Sequence, residues 1–313
     1  SKNCSSNPNK PFSPMPQNNT TATAASHPNS TPEQRDRYRR SHTQARLRSL
    51  QLALVDILRE VARLCERHNI PYWLDSGTLL GAVRHGGFIP WDDDIDICLR
   101  NSDMSRFAEI ARRELPPHLF VQTPQTEPDM RLPICKVRNL NSFIVEYGDD
   151  FSRSYAKGIY VDIFPMEPWP SFGPQFSKRV ARGYCKANAI LHAQHYYSLR
   201  SAAELFYFGL KRLWCKTLWR TGALFAGRGK YYSNILENSG NGNRHLTETI
   251  FPTGRIEFEG ESFAAPADPD RYLRDLFGDY MQLPPENQRR GHAVFFAEQL
   301  EKTPEKSPAR QNT

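Results

Sequence analysis

Apolar residues recur at helical spacing between Pro32 and His68, at Leu47, Leu50, Leu54, Ile57, Leu58, Val61, Leu64 and Cys65. Arg48, Gln51, Arg59, Glu66 and Arg67 fill the opposite side. The pattern predicts one long amphipathic helix, ended by Asn69 before Pro71. A short apolar run follows, and Ser76 to Ala82 reads as a turn opening a short helix before the Gly86-Gly87 break. Residues 92–99 alternate as a strand, and 103–115 have helical spacing. Further strands are predicted around 134–137, 142–147 and 159–164, then helices over 175–196 and 201–226. The last ordered block, 255–300, carries a strand at Ile256 and Phe258, a helix over 270–277, and a closing break at Pro284-Pro285.

The flanks read differently. Residues 1–32 are rich in Ser, Asn, Thr, Pro and Ala, with two lysines and no acid. Such a stretch buries too little apolar surface to offset its ordering entropy, so a disordered tail is expected, with a second over 301–313. Between them the chain divides into a core over 33–170, a helical insertion over 171–250 rich in aromatic and basic residues, and a return to the core over 251–300. No internal repeat is found. No run approaches the roughly 20 apolar residues of a membrane-spanning helix. The opening SKNCSSNPNK, which starts at Ser1 and not at Met, has no apolar stretch of a secretory signal. The six cysteines are scattered, without a CxxC pair or a histidine at ligand spacing. Reduced thiols in a cytoplasmic setting are expected, not a disulfide scaffold or zinc module. The net charge of +7 suits an anionic partner (nucleic acid, anionic lipid or a phosphate-bearing substrate) or a merely basic surface.

The acids narrow that choice. Asp92, Asp93, Asp94 and Asp96 place four carboxylates in five positions behind Pro90-Trp91, a repulsive arrangement with little structural use. On a strand, Asp92, Asp94 and Asp96 share one face, while Asp93, Ile95 and Ile97 take the other. Carboxylates two apart can share a hard cation such as Mg²⁺ or Mn²⁺. An EF-hand loop is excluded, because the spacing lacks its Gly and its Glu. Upstream, Gly77-Thr78 sits where a helix opens, and amides at a helix start bind phosphate, with the Thr78 hydroxyl as an added donor. An Asp-hydrophobic-Asp strand behind such a turn resembles the nucleotidyltransferase fold, in which a third carboxylate comes from a later strand. Asp162, a lone acid in the apolar run Gly158 to Pro165, is the candidate. Unpaired burial of that acid predicts that Asp162→Ala raises stability without metal; the alternative is a structural acid paired with Arg138 or Lys136.

The run from Tyr72 through Asp75-Ser76-Gly77-Thr78-Leu79-Leu80-Gly81 to Arg84-His85, continued by Phe88-Ile89-Pro90-Trp91-Asp92-Asp93-Asp94-Ile95-Asp96, resembles the signature of the LicD family, which includes bacterial phosphorylcholine transferases and, more distantly, fukutin-related protein. The likeness extends through Lys136-Val137-Arg138, Val161-Asp162-Ile163-Phe164-Pro165 and Leu276-Phe277-Gly278-Asp279-Tyr280. It covers roughly 45–170 and 255–290 and leaves 171–250 unmatched. The resemblance implies an α/β (α+β) nucleotidyltransferase-like mixed sheet flanked by helices, with a helical aromatic and basic insertion. It also implies transfer of a phospho-alcohol from a CDP-activated donor, CDP-choline in the best-known members, to a hydroxyl of a glycan or lipid-linked glycan, releasing CMP. Asp92, Asp94, Asp96 and Asp162 would then hold the metal, and Gly77, Thr78, Arg84, Lys136 and Arg138 would face phosphate. Asp162 or His85 would serve as the acid or base.

Two other readings stay open. A nucleotidyltransferase would leave NMP on its acceptor. A nucleic-acid-binding module would explain the charge but not the Asp cluster, and no nucleic-acid partner is expected. In the insertion, Phe206, Leu210, Leu213, Trp214 and Leu218 share a helical face beside Lys211, Arg212, Lys216 and Arg220. Packing of that face on the catalytic domain is the favoured reading. Peripheral contact with an anionic membrane is the alternative.

Overall fold

The computed structural model describes residues 32–299, except 131, 148, 150, 152, 153, 194–197 and 227. Of the expected tails, 1–32 and 301–313, residues 1–31 and 301–313 lie outside the described residues, and Pro32 opens α1. In chain order the elements are α1 (Pro32–Arg67), β1 (Tyr72–Leu74), α2 (Ser76–His85), β2 (Asp96–Arg100), α3 (Met104–Glu114), β3 (Leu119–Gln122), β4 (Cys135–Asn139), β5 (Phe143–Glu146) and β6 (Tyr160–Pro170). They continue with α4 (Pro174–Leu191), α5 (Leu199–Ala226), β7 (Arg228–Asn234), β8 (His245–Leu246), α6 (Thr247–Ile250), β9 (Gly254–Phe258), β10 (Glu261–Ala265), α7 (Pro269–Phe277) and β11 (Ala293–Ala297).

The main sheet runs β1-β2-β6-β4-β3, with β7 and β8 added along the far half of β6. Only β2 and β6 pair in parallel; the other pairs are antiparallel. The fold is thus a mixed sheet with flanking helices. Its central strands, β2, β4 and β6, are apolar on both faces apart from the charged positions, as strands covered on both sides must be. Leu50, Leu54, Ile57, Leu58, Val61, Leu64 and Cys65 of α1 enter the core they share with Ile97, Leu99, Val137, Val161 and Ile163. This is the periodicity visible in the sequence.

Three features differ from the sequence reading. The strand read over 92–99 starts only at Asp96, because the ladder to β6 begins there; residues 92–95 lie in an irregular loop. The strand read over 142–147 exists as β5 but leaves the main sheet to pair with β11. The Pro284-Pro285 break does not end the ordered chain, since β11 follows it and returns to the acidic loop.

That loop is held from three sides. Gly86 closes α2 in the left-handed region, φ 69°. Glu259 accepts from the Phe88 amide at 2.9 Å and pairs with Arg48 of α1. Gln51 Nε2 donates to the Asp92 carbonyl at 2.9 Å. The Arg48 guanidinium, with the Phe88 amide behind it and against the effect of burial, holds the Glu259 carboxyl below the usual carboxylate range. A depressed folded-state value contributes stability above the unfolded value, near 4.3, and loses it as pH falls through the depressed one. Glu259→Gln is therefore expected to cost about 1–2 kcal/mol at pH 7, with the difference from wild type shrinking in urea melts below about pH 4. A cost independent of pH would leave only the neutral hydrogen bond.

Candidate active site

Two strands carry the central acids. In the parallel β2–β6 ladder Asp96 is in register with Asp162, and across the antiparallel β6–β4 ladder Asp162 is in register with Lys136. Gln122 of β3 continues the row. Asp96, Asp162 and Lys136 are thus neighbours across three strands, although 66 and 26 residues separate them along the chain. Lys136 Nζ lies 2.9 Å from Asp162 Oδ1 and donates to Oδ2 at 3.2 Å, while its ammonium sits 3.5 Å above the Tyr160 ring. Asp162 was expected to be an unpaired acid. It is instead half of a buried ion pair, which removes the premise of the expectation that Asp162→Ala stabilises the metal-free protein. The sequence offers Arg138 or Lys136 as the alternative partner of Asp162, and strand pairing selects Lys136.

The loop before β2 adds three acids. Asp92 is buried against α2, close enough to Gly77 that a Cβ there would stand 2.8 Å from its Oδ2. Burial, then Asp94 and Asp93, push the Asp92 carboxyl well above its ordinary range. Burial, then Asp94 and Asp162, do the same to Asp96. For Asp162, burial raises the carboxyl and Lys136 only partly offsets this. Gly77→Ala is accordingly expected to displace the Asp92 carboxylate and reduce turnover by about 10²-fold without unfolding the protein. Steady-state rates beside a thermal melt check it, and an unchanged rate would remove Asp92 from the site.

Asp93 departs from the alternation. The alternation places it on the face away from the other acids, but no strand ladder holds residues 92–94; the Asp162 amide donates to the Ile95 carbonyl at 2.9 Å, the first bond of the β2–β6 side. Its carboxylate accepts from the His292 amide at 2.9 Å and the Ala293 amide at 2.6 Å. Burial opposes ionisation of Asp93, yet the hydrogen bonds from His292 and Ala293 hold its carboxyl below the usual range. His292 Nδ1 also lies 3.3 Å from both Asp93 and Asp94 carboxylates, which raise its imidazole to about 11. Asp92, Asp93, Asp94 and His292 form a compact group whose ligand atoms lie within 4.8 Å of one another. It shares Asp92 and Asp94 with the set expected from sequence and adds Asp93 and His292. The Asp96–Asp162 pair stands beside it, and Asp94 acts on both acids.

These residues fit a hard divalent cation. Burial and the neighbouring carboxylates are the main influences on Asp96, and Asp162 Oδ1 is buried without a hydrogen bond despite the nearby ammonium. The oxygens thus exceed the donors that protein supplies, and oxygen-rich sets of this kind suit Mg²⁺ or Mn²⁺.

The other expected residues are placed as follows. Thr78 is buried, and its hydroxyl accepts from the Asp96 amide at 2.8 Å, tying the α2 start to β2. Arg138 is buried, donating to Gln122 at 2.6 Å and to the Gly158 carbonyl at 2.7 Å over the Tyr160 ring. Arg84 donates to the Tyr280 carbonyl and to His85 Nε2. Burial and then Arg84 lower the His85 imidazole, and burial and then Arg289 lower the Arg84 guanidinium. Arg289 in turn lies 5.2 Å over Trp91, next to Asp92. His85 contacts Arg84 and none of the carboxylates among the described residues. Arg289 and His292 were missed in the sequence, as was Asp75, whose Oδ1 accepts from the buried Tyr272 hydroxyl at 2.6 Å. A short apolar run, AVFFA, directly after His292 was the one available signal for that segment.

Residues 69–181 match the LicD/FKTN/FKRP nucleotidyltransferase domain. The chain carries a LicD-family domain. That LicD segment contains every carboxylate of the site, together with Lys136 and Arg138, while Arg289 and His292 come from outside it. The chain is 26% identical to the lipopolysaccharide cholinephosphotransferase LicD of Haemophilus influenzae over 280 residues, 79% of this chain and 96% of that relative. It is 34% identical to an uncharacterised protein of Rickettsia prowazekii over 119 residues, 38% of this chain and 41% of that one. Over 62 residues it is 39% identical to the human ribitol 5-phosphate transferase FKRP, covering 20% of this chain and 12% of that protein. It therefore spans less than half of the latter two.

Proposed function

We propose that the protein is a divalent-metal-dependent transferase that moves a phospho-alcohol from a CDP-activated donor to a hydroxyl of a cell-surface glycan or its lipid-linked precursor. CDP-choline is the first donor to test, because the cholinephosphotransferase LicD is the relative aligned over nearly its whole length. The observation that carries the reading is the in-register row Asp96–Asp162–Lys136, with Asp94 acting on both acids.

In this reading the acceptor oxygen attacks the phosphorus that bears the alcohol. The bond from that phosphorus to the bridging oxygen breaks, and CMP leaves with the bridging oxygen and its electron pair. Asp92, Asp94, Asp96 and Asp162 would hold Mg²⁺ or Mn²⁺, which when bound neutralises charge on the diphosphate. Lys136 keeps Asp162 oriented. The α2 amides at Gly77 and Thr78, with Arg84 and Arg289, supply positive potential for the phosphates. Arg138 holds the β3–β4–β6 row in place through its neutral acceptors. The acceptor proton passes to Asp162 or to His85, whose lowered value leaves it neutral near pH 7.

Incubating the purified protein with a panel of CDP-alcohols, a glycan acceptor and Mg²⁺ tests this directly. CMP release with a mass gain of one phospho-alcohol on the acceptor is expected for one of the panel. Pyrophosphate release from an NTP, with NMP left on the acceptor, would replace the proposal by the nucleotidyltransferase reading.

A further inference from the structure

The positive excess of the protein has one address. Residues 174–226 contain nine Lys and Arg against one acid, Glu204, while the whole chain carries only +7. The remainder is therefore close to neutral, and the basic character belongs to the α4–α5 pair. This pair packs on the far end of β6 through a small core of its own, where Trp169 meets Trp219 edge-on at 4.8 Å and Val180, Ala181, Tyr184, Cys215 and Leu236 close around them.

Only one side of α5 is used in that packing. Cys215, Trp219 and Ala223 are buried, whereas Phe206, Tyr207, Leu210, Leu213 and Trp214 are 53–70% exposed and Leu224 is 80% exposed. Positions 206, 210, 213, 214 and 224 follow the 3.6-residue repeat as a stripe on one outer side of α5, with exposed Thr217, Arg220 and Thr221 between the last two. The aromatic face expected to pack on the catalytic domain therefore does not; of its members, Leu218 alone joins the small core. Cations border the stripe, with Arg220 exposed and Lys211 and Lys216 at its sides. Apolar patches of this extent on a folded surface mark interaction sites.

We infer that the outer face of α5 rests on an anionic lipid surface, its apolar stripe in the headgroup boundary and its flanking cations against lipid phosphates. Charge decides between the possible occupants. A second copy would bring two strongly cationic helix pairs together, whereas an anionic bilayer supplies apolar depth and negative charge at once. The helix lies in the plane of the interface, since no helix among the described residues is long and apolar enough to cross a membrane. Eight residues of extended β6 separate Asp162 from Pro170, about 26 Å at the rise of a strand. The lipid face and the carboxylates thus sit at opposite ends of one strand, so this inference stands apart from the proposed reaction.

Flotation of the full chain with vesicles tests it, using phosphatidylcholine alone and phosphatidylcholine containing phosphatidylglycerol. Wild type is expected to float with the anionic vesicles, about tenfold or more in excess over the neutral ones, and to release in high salt. Leu210→Glu/Trp214→Glu and Lys216→Glu/Arg220→Glu should each weaken binding about tenfold while keeping the wild-type melt, because these side chains lie outside the core. Equal flotation on both lipids, no flotation on either, or unchanged binding by the variants would overturn the inference. So would a wild-type dimer in sedimentation that Leu210→Glu/Trp214→Glu converts to monomer.

Discussion

Asp96→Asn is expected to lower turnover by about 10³-fold or more while leaving the protein folded. Asp96 opens β2, its amide is fixed by Thr78, and burial, then Asp94 and Asp162, are the main influences on its carboxylate. An amide keeps the volume and removes the charge that a hard cation needs. Without metal the substitution relieves repulsion, so the variant should melt at or above wild type. With Mg²⁺ the order reverses, because a ligand bound only by the folded state adds stability by mass action, about 2.7 kcal/mol at a hundredfold excess over Kd. Rates and melts with and without Mg²⁺ check both arms. Turnover within tenfold of wild type, or an equal Mg²⁺-induced shift, would exclude Asp96 from the metal site.

Much of this site is legible as local pattern. The α1 periodicity and the lone acid in the apolar run 158–165 are written in adjacent residues, because helices and strands impose short repeats. Asp96 and Asp162 could be nominated as partners for the same reason. What pattern cannot carry is register between distant segments. Lys136 meets Asp162 only because β4 and β6 pair at that position, and the charge balance of the site turns on that pairing. Asp93 shows the converse failure. Alternation holds only where a ladder enforces it, and the turn behind Pro90-Trp91 delays the ladder to Asp96. His292 arrives from about 200 residues away on a two-stranded ribbon, behind a proline pair that reads as an end. The exposure of the α5 stripe was equally hidden, since an apolar helical face has the same spacing whether it meets a core or a lipid.

Asp162→Ala should do the opposite of Asp96→Asn in the absence of metal. Lys136 is 7% exposed at its side chain and Asp162 is 12% exposed, so the pair is shielded from water. Among the charges that act on Asp162, the attraction of Lys136 outranks the repulsion of Asp94 and Glu146. Removing the carboxylate leaves a buried ammonium whose remaining support is the Tyr160 ring and the more distant charge of Asp96. Breaking one side of a buried pair typically costs about 3–5 kcal/mol. For a chain of this size the melt should fall by roughly 6–15 °C. Asp162→Asn, which keeps the volume and an oxygen for Lys136, should lose less. Asp162→Ala combined with Lys136→Met should recover part of the loss, because no charge is then left uncompensated. Thermal melts of the three variants in chelator decide it. If Asp162→Ala melts at or above wild type, repulsion within the acid cluster outweighs the Lys136 pair, and the four carboxylates act on stability as one set.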